Sequence, residues 1–193
     1  MTTQHKASSS PERELAPLES GGLGAEEFKG AFRNHAAGVA VITADIGEGP
    51  VGLTATSVFS VSAEPALLVF SLSDLSTSTP TIQQADTVVV HLLGAEQHEL
   101  ARLCATSGID RFADTAIWSR LPTGEPYFPG VNAWVRGRVI NQLEAGTSVL
   151  IVVHALEAGS SGSGGHGADP GESYPLVYHN RTWHRLSEDS KID

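Results

Sequence analysis

Two stretches of the chain concentrate groups able to meet a ligand: TATS at residues 54–57 and SLSDLSTST at residues 71–79. In the first, Thr54, Thr56 and Ser57 stand where a strand ordinarily carries Val, Ile or Phe. Small side chains there let a flat polar ligand approach, and hydroxyls and amides supply hydrogen bonds. The competing reading is an exposed edge strand, where Ser and Thr are ordinary. The second stretch runs into a short helix, with Thr79 expected as N-cap and Pro80 as first helical residue. Ser76, Thr77, Ser78 and Thr79 at such a start form either a plain cap or, with free amides, a phosphate seat that needs no lysine. Together the two stretches offer a phosphate seat beside a polar wall.

Other chemistries lack their signatures. No G-x-G-x-x-G follows a strand, and there is no G-x-x-x-x-G-K-S/T loop and no G-x-S-x-G elbow. The eight histidines are scattered, and a single cysteine cannot complete a thiolate site, so no metal ligand set is expected. No nucleophile has a readable base and orienter. His35 reads as a packed or capping histidine, and His166 lies in a glycine-serine run.

At 193 residues with 40 % apolar content, one domain with its own core is expected. Cys104 stands alone, which excludes a disulfide framework and fits a reducing compartment. No early basic-apolar leader and no bilayer-length apolar run is present, so a cytoplasmic protein is expected. Acids outnumber bases 22 to 12, a net charge of -10, which argues against nucleic acid or an anionic membrane as partner.

These groups need elements to hold them. Residues 1–23 read as a polar tail. A helix through Phe28, Ala31, Phe32 and His35 stops at Gly38. Strands are expected at Val39–Ala44, along VGLTATSVFSVSAEP (51–65), at Ala66–Leu72 and at Thr87–Leu93, with a short helix to about Ala85. AEQHELARLCATSG is a helix with Leu100, Leu103 and Cys104 on one face. Strands follow at Val131–Ile140 and Val149–Leu156, then a glycine-serine loop over 159–173, a hairpin turning at His179-Asn180-Arg181, and a charged tail at 188–193. Short strands with turns between them make a mainly β, antiparallel barrel with helical insertions.

In this order GVAVIT (38–43), GLTATSVFSVSAEPALLVFSL (52–72), S-x-S before a short helix, VVVHLL with AEQHELA, GIDRF (108–112) and PLVYHNRTWHRL (175–186) resemble the short-chain flavin reductases. These are FMN-binding split-barrel proteins that serve two-component monooxygenases, and the resemblance spans a domain of about residues 24–187. It implies a homodimeric Greek-key split β-barrel with FMN or FAD at the subunit interface, reduced by NADH or NADPH, and a separate monooxygenase as partner. By that resemblance Thr54, Ala55, Thr56, Ser57 and Val58 hold the isoalloxazine edge, Ser71 and Leu72 flank the ribityl chain, Ser76 and Ser78 meet the phosphate, and His91 and Phe112 complete the flavin set.

Three positions depart from the family pattern. His91 replaces the Asn of a V-N-x-L strand, and Thr77 stands where a basic residue is common. Gly146-Thr147-Ser148 replaces a Gly-Asp-His motif associated with nicotinamide, leaving Ser148, with His154 or His184 as spatial substitutes. Hydride transfer from nicotinamide C4 to flavin N5 needs stacking and orientation rather than a protein acid or base, so no catalytic side chain is expected. Two alternatives stay open: a flavin-binding barrel without reductase activity, and a cofactor-free interaction module.

Overall fold

The computed structural model describes residues 21–160 and 174–192. The chain divides into two units, residues 1–32 and 33–193. In the first, α1 (Ala25–Phe32) opens on Glu26 and Glu27, and the rings of Phe28 and Phe32 meet one turn apart at 4.8 Å. No residue of α1 is buried. The helix stops short of His35, so the amphipathic face read through that histidine does not form.

The second unit carries β1 (Ala37–Gly38), β2 (Ala40–Ala44), β3 (Val51–Ala55), β4 (Phe59–Ala63), β5 (Ala66–Ser73), α2 (Thr79–Gln84) and β6 (Thr87–Leu92). A 3-10 turn at Ala95–Gln97 leads into α3 (His98–Ala105), followed by β7 (Ser119–Arg120), β8 (Pro126–Tyr127), β9 (Ala133–Ala145), β10 (Ser148–Ser160), β11 (Leu176–His179) and β12 (Thr182–Arg185). β10 runs two residues into the segment expected to be loop, because Gly159 and Ser160 still pair with Trp134 and Ala133; residues 161–173 of that segment lie outside the described residues. Glu188–Ser190, read as tail, closes a 3-10 turn.

Seven antiparallel strands form the main sheet in the order β3-β2-β6-β9-β10-β5-β4. Laid flat, six spacings of about 4.8 Å would put β3 and β4 about 29 Å apart. Yet β3 ends at Ala55 and β4 begins at Phe59, and four Cα steps reach at most about 14 Å. The sheet therefore curls until its edges meet, which is a barrel. The single strand read along 51–65 is in fact two edge strands of this sheet, and Thr56–Val58 crosses the seam between them.

Two apolar layers hold this arrangement. Ile42, Phe70, Leu72, Ile82, Val88, Val90 and Ile151 fill the barrel, each large side chain contributing about 1.5–3 kcal/mol. On the other side of β2, Val39 and Val41 pack under Ala101 and Cys104 of α3 and against Phe112, Phe128 and Val131. All five β2 residues are buried because both faces are covered. At Gly137 a Cβ would lie 2.3 Å from Val153 Cγ1 and 2.8 Å from the His154 carbonyl oxygen. Only glycine lets β9 and β10 come this close beside their bulge.

Candidate functional site

The hydroxyls of the two polar stretches are largely committed to backbone. Thr54 Oγ1 donates to the Ala101 carbonyl of α3 at 2.7 Å, so this face of β3 is roofed rather than open to a ligand. Ser57 Oγ donates to the Ser71 carbonyl and accepts from the Ser71 N–H, both at 3.1 Å. It thereby joins the two edges of the barrel where no strand pairing does. Ser78, the actual N-cap of α2 in place of Thr79, is buried and makes no side-chain cap; Pro80 is the second helical residue. Its hydroxyl donates to the Gly52 carbonyl at 3.0 Å and accepts from Arg111 Nη1 at 3.3 Å. Ser76 stays partly open, accepting from the Ser78 N–H at 3.4 Å.

Four of the expected flavin residues turn inward. Ala55 and Leu72 belong to the barrel interior, with Val58 packed against it. Phe112 is buried, stacked on Phe128 at 5.5 Å and edge-on to Trp118 at 5.2 Å, and its ring tip would sit 3.3 Å from a Cβ on Gly52. His91 is 0 % exposed. Its Nδ1 lies 2.9 Å from the Val41 carbonyl, so Nδ1–H donates, and Nε2 accepts from the Phe128 N–H at 3.1 Å. Burial pushes the His91 pKa down to about 4, which keeps this neutral tautomer. His91 and Phe112 are therefore wall residues behind the site, since neither presents a surface to a ligand.

What remains accessible gathers at the seam. The pairing of β3 stops at Ala55 and that of β4 starts at Phe59, so the amides and carbonyls of Thr56, Ser57 and Val58 lie outside the strand ladder. Beside them is the outer face of the sheet. Val149, Ile151 and Val153 point into the barrel, so Ser148, Leu150, Val152 and His154 point out, with Leu150 opposite Ser71 and Leu143, and Val152 opposite Val69, itself opposite Phe59. Phe59, Val61, Ile140 and Leu143 are 44 to 57 % exposed on or beside this face.

The three nicotinamide candidates do not converge. Gly146-Thr147 is the two-residue turn of the β9–β10 hairpin, and a positive φ of 66° at Gly146 alone fits a type II′ turn. Ser148 sits opposite Ser73, and the Thr147 carbonyl accepts from the Asp74 N–H at 3.1 Å, which brings this turn against the SLSDLSTST loop. His154 lies six residues along β10, about 20 Å away. His184 is exposed on the separate β1-β11-β12 sheet, its ring 5.5 Å from that of His179.

Sequence reasoning missed two features. One is Arg111 inside GIDRF, whose guanidinium reaches across 33 residues to Ser78. The other is a polar cleft of about 430 Å³ lined by Asp45, Thr87, Arg120, Thr123 and Glu125. There Glu125 takes hydrogen bonds from Thr123, from Thr87 at 2.7 Å and from Arg136 at 2.7 Å. Burial raises this carboxyl, but those donors outweigh it and hold the pKa at about 2. The only sequence signal was a lone acid between a TG turn and β8. Cys104 is inert, its thiol pushed by burial up to about 12. Among the described residues no three His, Cys, Asp or Glu cluster as a metal would need, and no helix is long and apolar enough to cross a membrane.

Residues 32–187 match the family described as "Flavin reductase like domain". The chain is 38% identical over 188 residues to an NADH:FMN oxidoreductase of Rhodococcus qingshengii, covering 95% of this chain and 93% of that protein. It is 29% identical over 172 residues, 86% of this chain and 89% of the relative, to the reductase component of a 4-nitrophenol 4-monooxygenase/4-nitrocatechol 2-monooxygenase from Rhodococcus opacus. Among solved structures, a flavin reductase domain protein from Arthrobacter sp. FB24 superposes with a TM-score of 0.75 at 33% identity, covering 86% of this chain and 96% of that one.

Proposed function

Because this chain belongs to the flavin reductase like domain family, we propose that it is an NAD(P)H:flavin oxidoreductase, moving hydride from a nicotinamide nucleotide to FMN or FAD and supplying the reduced flavin to a separate monooxygenase. The observation that carries this reading is the match over residues 32–187, which spans the barrel, its seam and the hairpins around it. The seam fits a flavin chemically: its backbone amides and carbonyls are free of the ladder, and the hydroxyls of Thr56 and Ser57 and the backbone of Ser71 stand with them. A bound flavin supplies the hydride-accepting ring. The chain's own part is to orient that ring against Thr56–Val58 and Ser71, to hold its phosphate end near the Ser73–Ser78 loop, and to place the nicotinamide by the adjoining Gly146-Thr147-Ser148 turn. His154 lies too far along β10 to share in this.

The same geometry supports reading the protein as a homodimer. The outer face beside the seam carries Phe59, Val61, Leu143 and Leu150, and a flavin laid there stays half in water unless a second copy covers it. The proposed compartment is the cytoplasm, where a buried, unpaired Cys104 stays reduced.

The test is NADH consumption with and without added FMN or FAD, beside flavin titration and mass in solution. Flavin-dependent consumption by a dimer is expected. Flavin binding without NADH oxidation would leave a flavin-binding barrel, and no flavin binding at all would leave an interaction module. A strictly monomeric protein that binds flavin tightly would refute the placement of the site under a second copy.

A further inference from the structure

We infer that Asp74 is a positioning residue, whose backbone N–H couples the loop for the flavin phosphate to the turn for the nicotinamide; this inference rests on the flavin reading above. β5 and β10 pair as far as Ser73 and Ser148. One step beyond, the Asp74 N–H donates to the Thr147 carbonyl at 3.1 Å. The bond therefore joins the Ser73–Thr79 loop directly to the Gly146-Thr147 turn. Both residues are exposed, as are Glu144, Ala145 and Gly146, so packing does little to fix the tip of this hairpin and the bond sets its direction.

The loop can pass the effect of a ligand to that donor. Its two ends are fixed, Ser73 by the ladder and Ser78 by the bond of its hydroxyl to the Gly52 carbonyl. Between them the ties are long: Leu75 N–H to Ser73 Oγ at 3.3 Å and Ser78 N–H to Ser76 Oγ at 3.4 Å. A phosphate held at Ser76 adds charge-assisted bonds to these weak ones and stiffens the segment that carries the Asp74 N–H. The Thr147 turn then keeps one orientation, and less freedom is lost when NADH settles beside it. Riboflavin has no phosphate and cannot do this. The consequence is a KM for NADH about 3- to 10-fold lower with FMN than with riboflavin as acceptor, the range that one exposed main-chain bond can transmit.

One substitution isolates the N–H. The Ser76 N–H donates to the Ser73 carbonyl at 3.1 Å, which closes a β-turn with Asp74 second and Leu75 third; neither has a positive φ, so the turn is type I. Proline favours that second position, and Ser73 before it is already extended strand. Asp74→Pro thus keeps the turn while deleting the donor, and Asp74→Ala keeps the donor while deleting the carboxylate.

The experiment measures steady-state KM and kcat for NADH, with saturating FMN and with saturating riboflavin, in wild type, Asp74→Pro and Asp74→Ala, with thermal melts as the fold control. Asp74→Pro should raise the KM for NADH with FMN to the riboflavin value while kcat stays within about 2-fold, and Asp74→Ala should keep the FMN advantage. Equal KM values for the two acceptors in the wild type overturn the inference. So does loss of the advantage in Asp74→Ala, which would assign the effect to the carboxylate. A lower kcat and Tm in Asp74→Pro with the FMN advantage intact would make the bond a structural staple and overturn it as well. Should Asp74→Pro fail to fold, the wild type and Asp74→Ala decide by the same criteria. A wild type that oxidises NADH with neither flavin sinks the flavin reading itself, a separate result.

Discussion

Replacing Ser57 with alanine removes one oxygen that closes the barrel. That hydroxyl both donates to and accepts from the backbone of Ser71, at 3.1 Å each way, in the stretch where β3 has ended and β4 has not begun. In Ser57→Ala the Ser71 N–H and C=O both lose their partner. A buried orphan costs about 1–3 kcal/mol, but Ser71 is only half-buried, so water repairs part of the loss and about 1–2 kcal/mol remains. For a domain of this size that is a fall in Tm of roughly 3–8 °C. Urea melts should show a lower midpoint at an unchanged slope, since the surface exposed on unfolding stays the same. Affinity for FMN and riboflavin should drop together as the seam loosens. An unaltered Tm alongside a large loss of flavin would show that the hydroxyl serves the ligand directly, and the closure argument would be wrong.

Acid should strip the support that Glu125 gives. Its carboxyl falls from 4.5 to about 2 on folding, so the stabilisation is complete above about pH 4.5 and is lost as pH drops toward 2, about 3 kcal/mol in all. Denaturant melts across that window should be steep for the wild type and flatter for Glu125→Gln; parallel curves would refute the linkage. Gly137→Ala should cost about 1–3 kcal/mol by overpacking, because its methyl would meet Val153 Cγ1 and the His154 carbonyl, and a wild-type Tm would mean the β9–β10 bulge shifts freely. Thr147→Asp with Ser148→His should lower the KM for NADH, by up to about 1–3 kcal/mol in binding, with flavin affinity unchanged; steady-state kinetics check this, and a double variant without activity would show that the nicotinamide is held elsewhere.

Most of the longer strands and their antiparallel barrel were legible because apolar runs and short turns survive in the sequence, most clearly at VVVHLL and VLIVV, while the split-barrel type came from the family resemblance. The break at Thr56–Val58 was not, since alternation through VGLTATSVFSVSAEP continues across the seam and nothing local marks a change of partner. Hydroxyl-rich composition was read as a polar wall for a ligand, and the structure gives most of those hydroxyls another use. Thr54, Ser57 and Ser78 are polar chiefly to bind carbonyls 14 to 47 residues away in sequence, a use that spacing cannot reveal. His91 looked like a departure at a ligand position, and it is one inside a wall: its two nitrogens tie Val41 to Phe128. The pairing of Arg111 with Ser78 was invisible for the same reason, because it links two loops that only the fold brings together.

A site at the seam is also the economical place for one in this barrel. Along the inner strands β2, β6, β9, β10 and β5 the backbone donors and acceptors are largely taken by strands on both sides. Where one edge passes into the other, three residues leave the ladder while the structure on either side stays rigid, held by β2 against β3 and β5 against β4. Backbone groups there keep their direction without needing a protein partner, since the Ser57 hydroxyl supplies the cross-link that strand pairing would have supplied. Small side chains at Thr56 and Ser57 suit the same reading. In the proposed flavin site a larger residue there would fill the space beside those amides, and the Ser57 hydroxyl, bonded both ways to Ser71, holds the segment without a ladder.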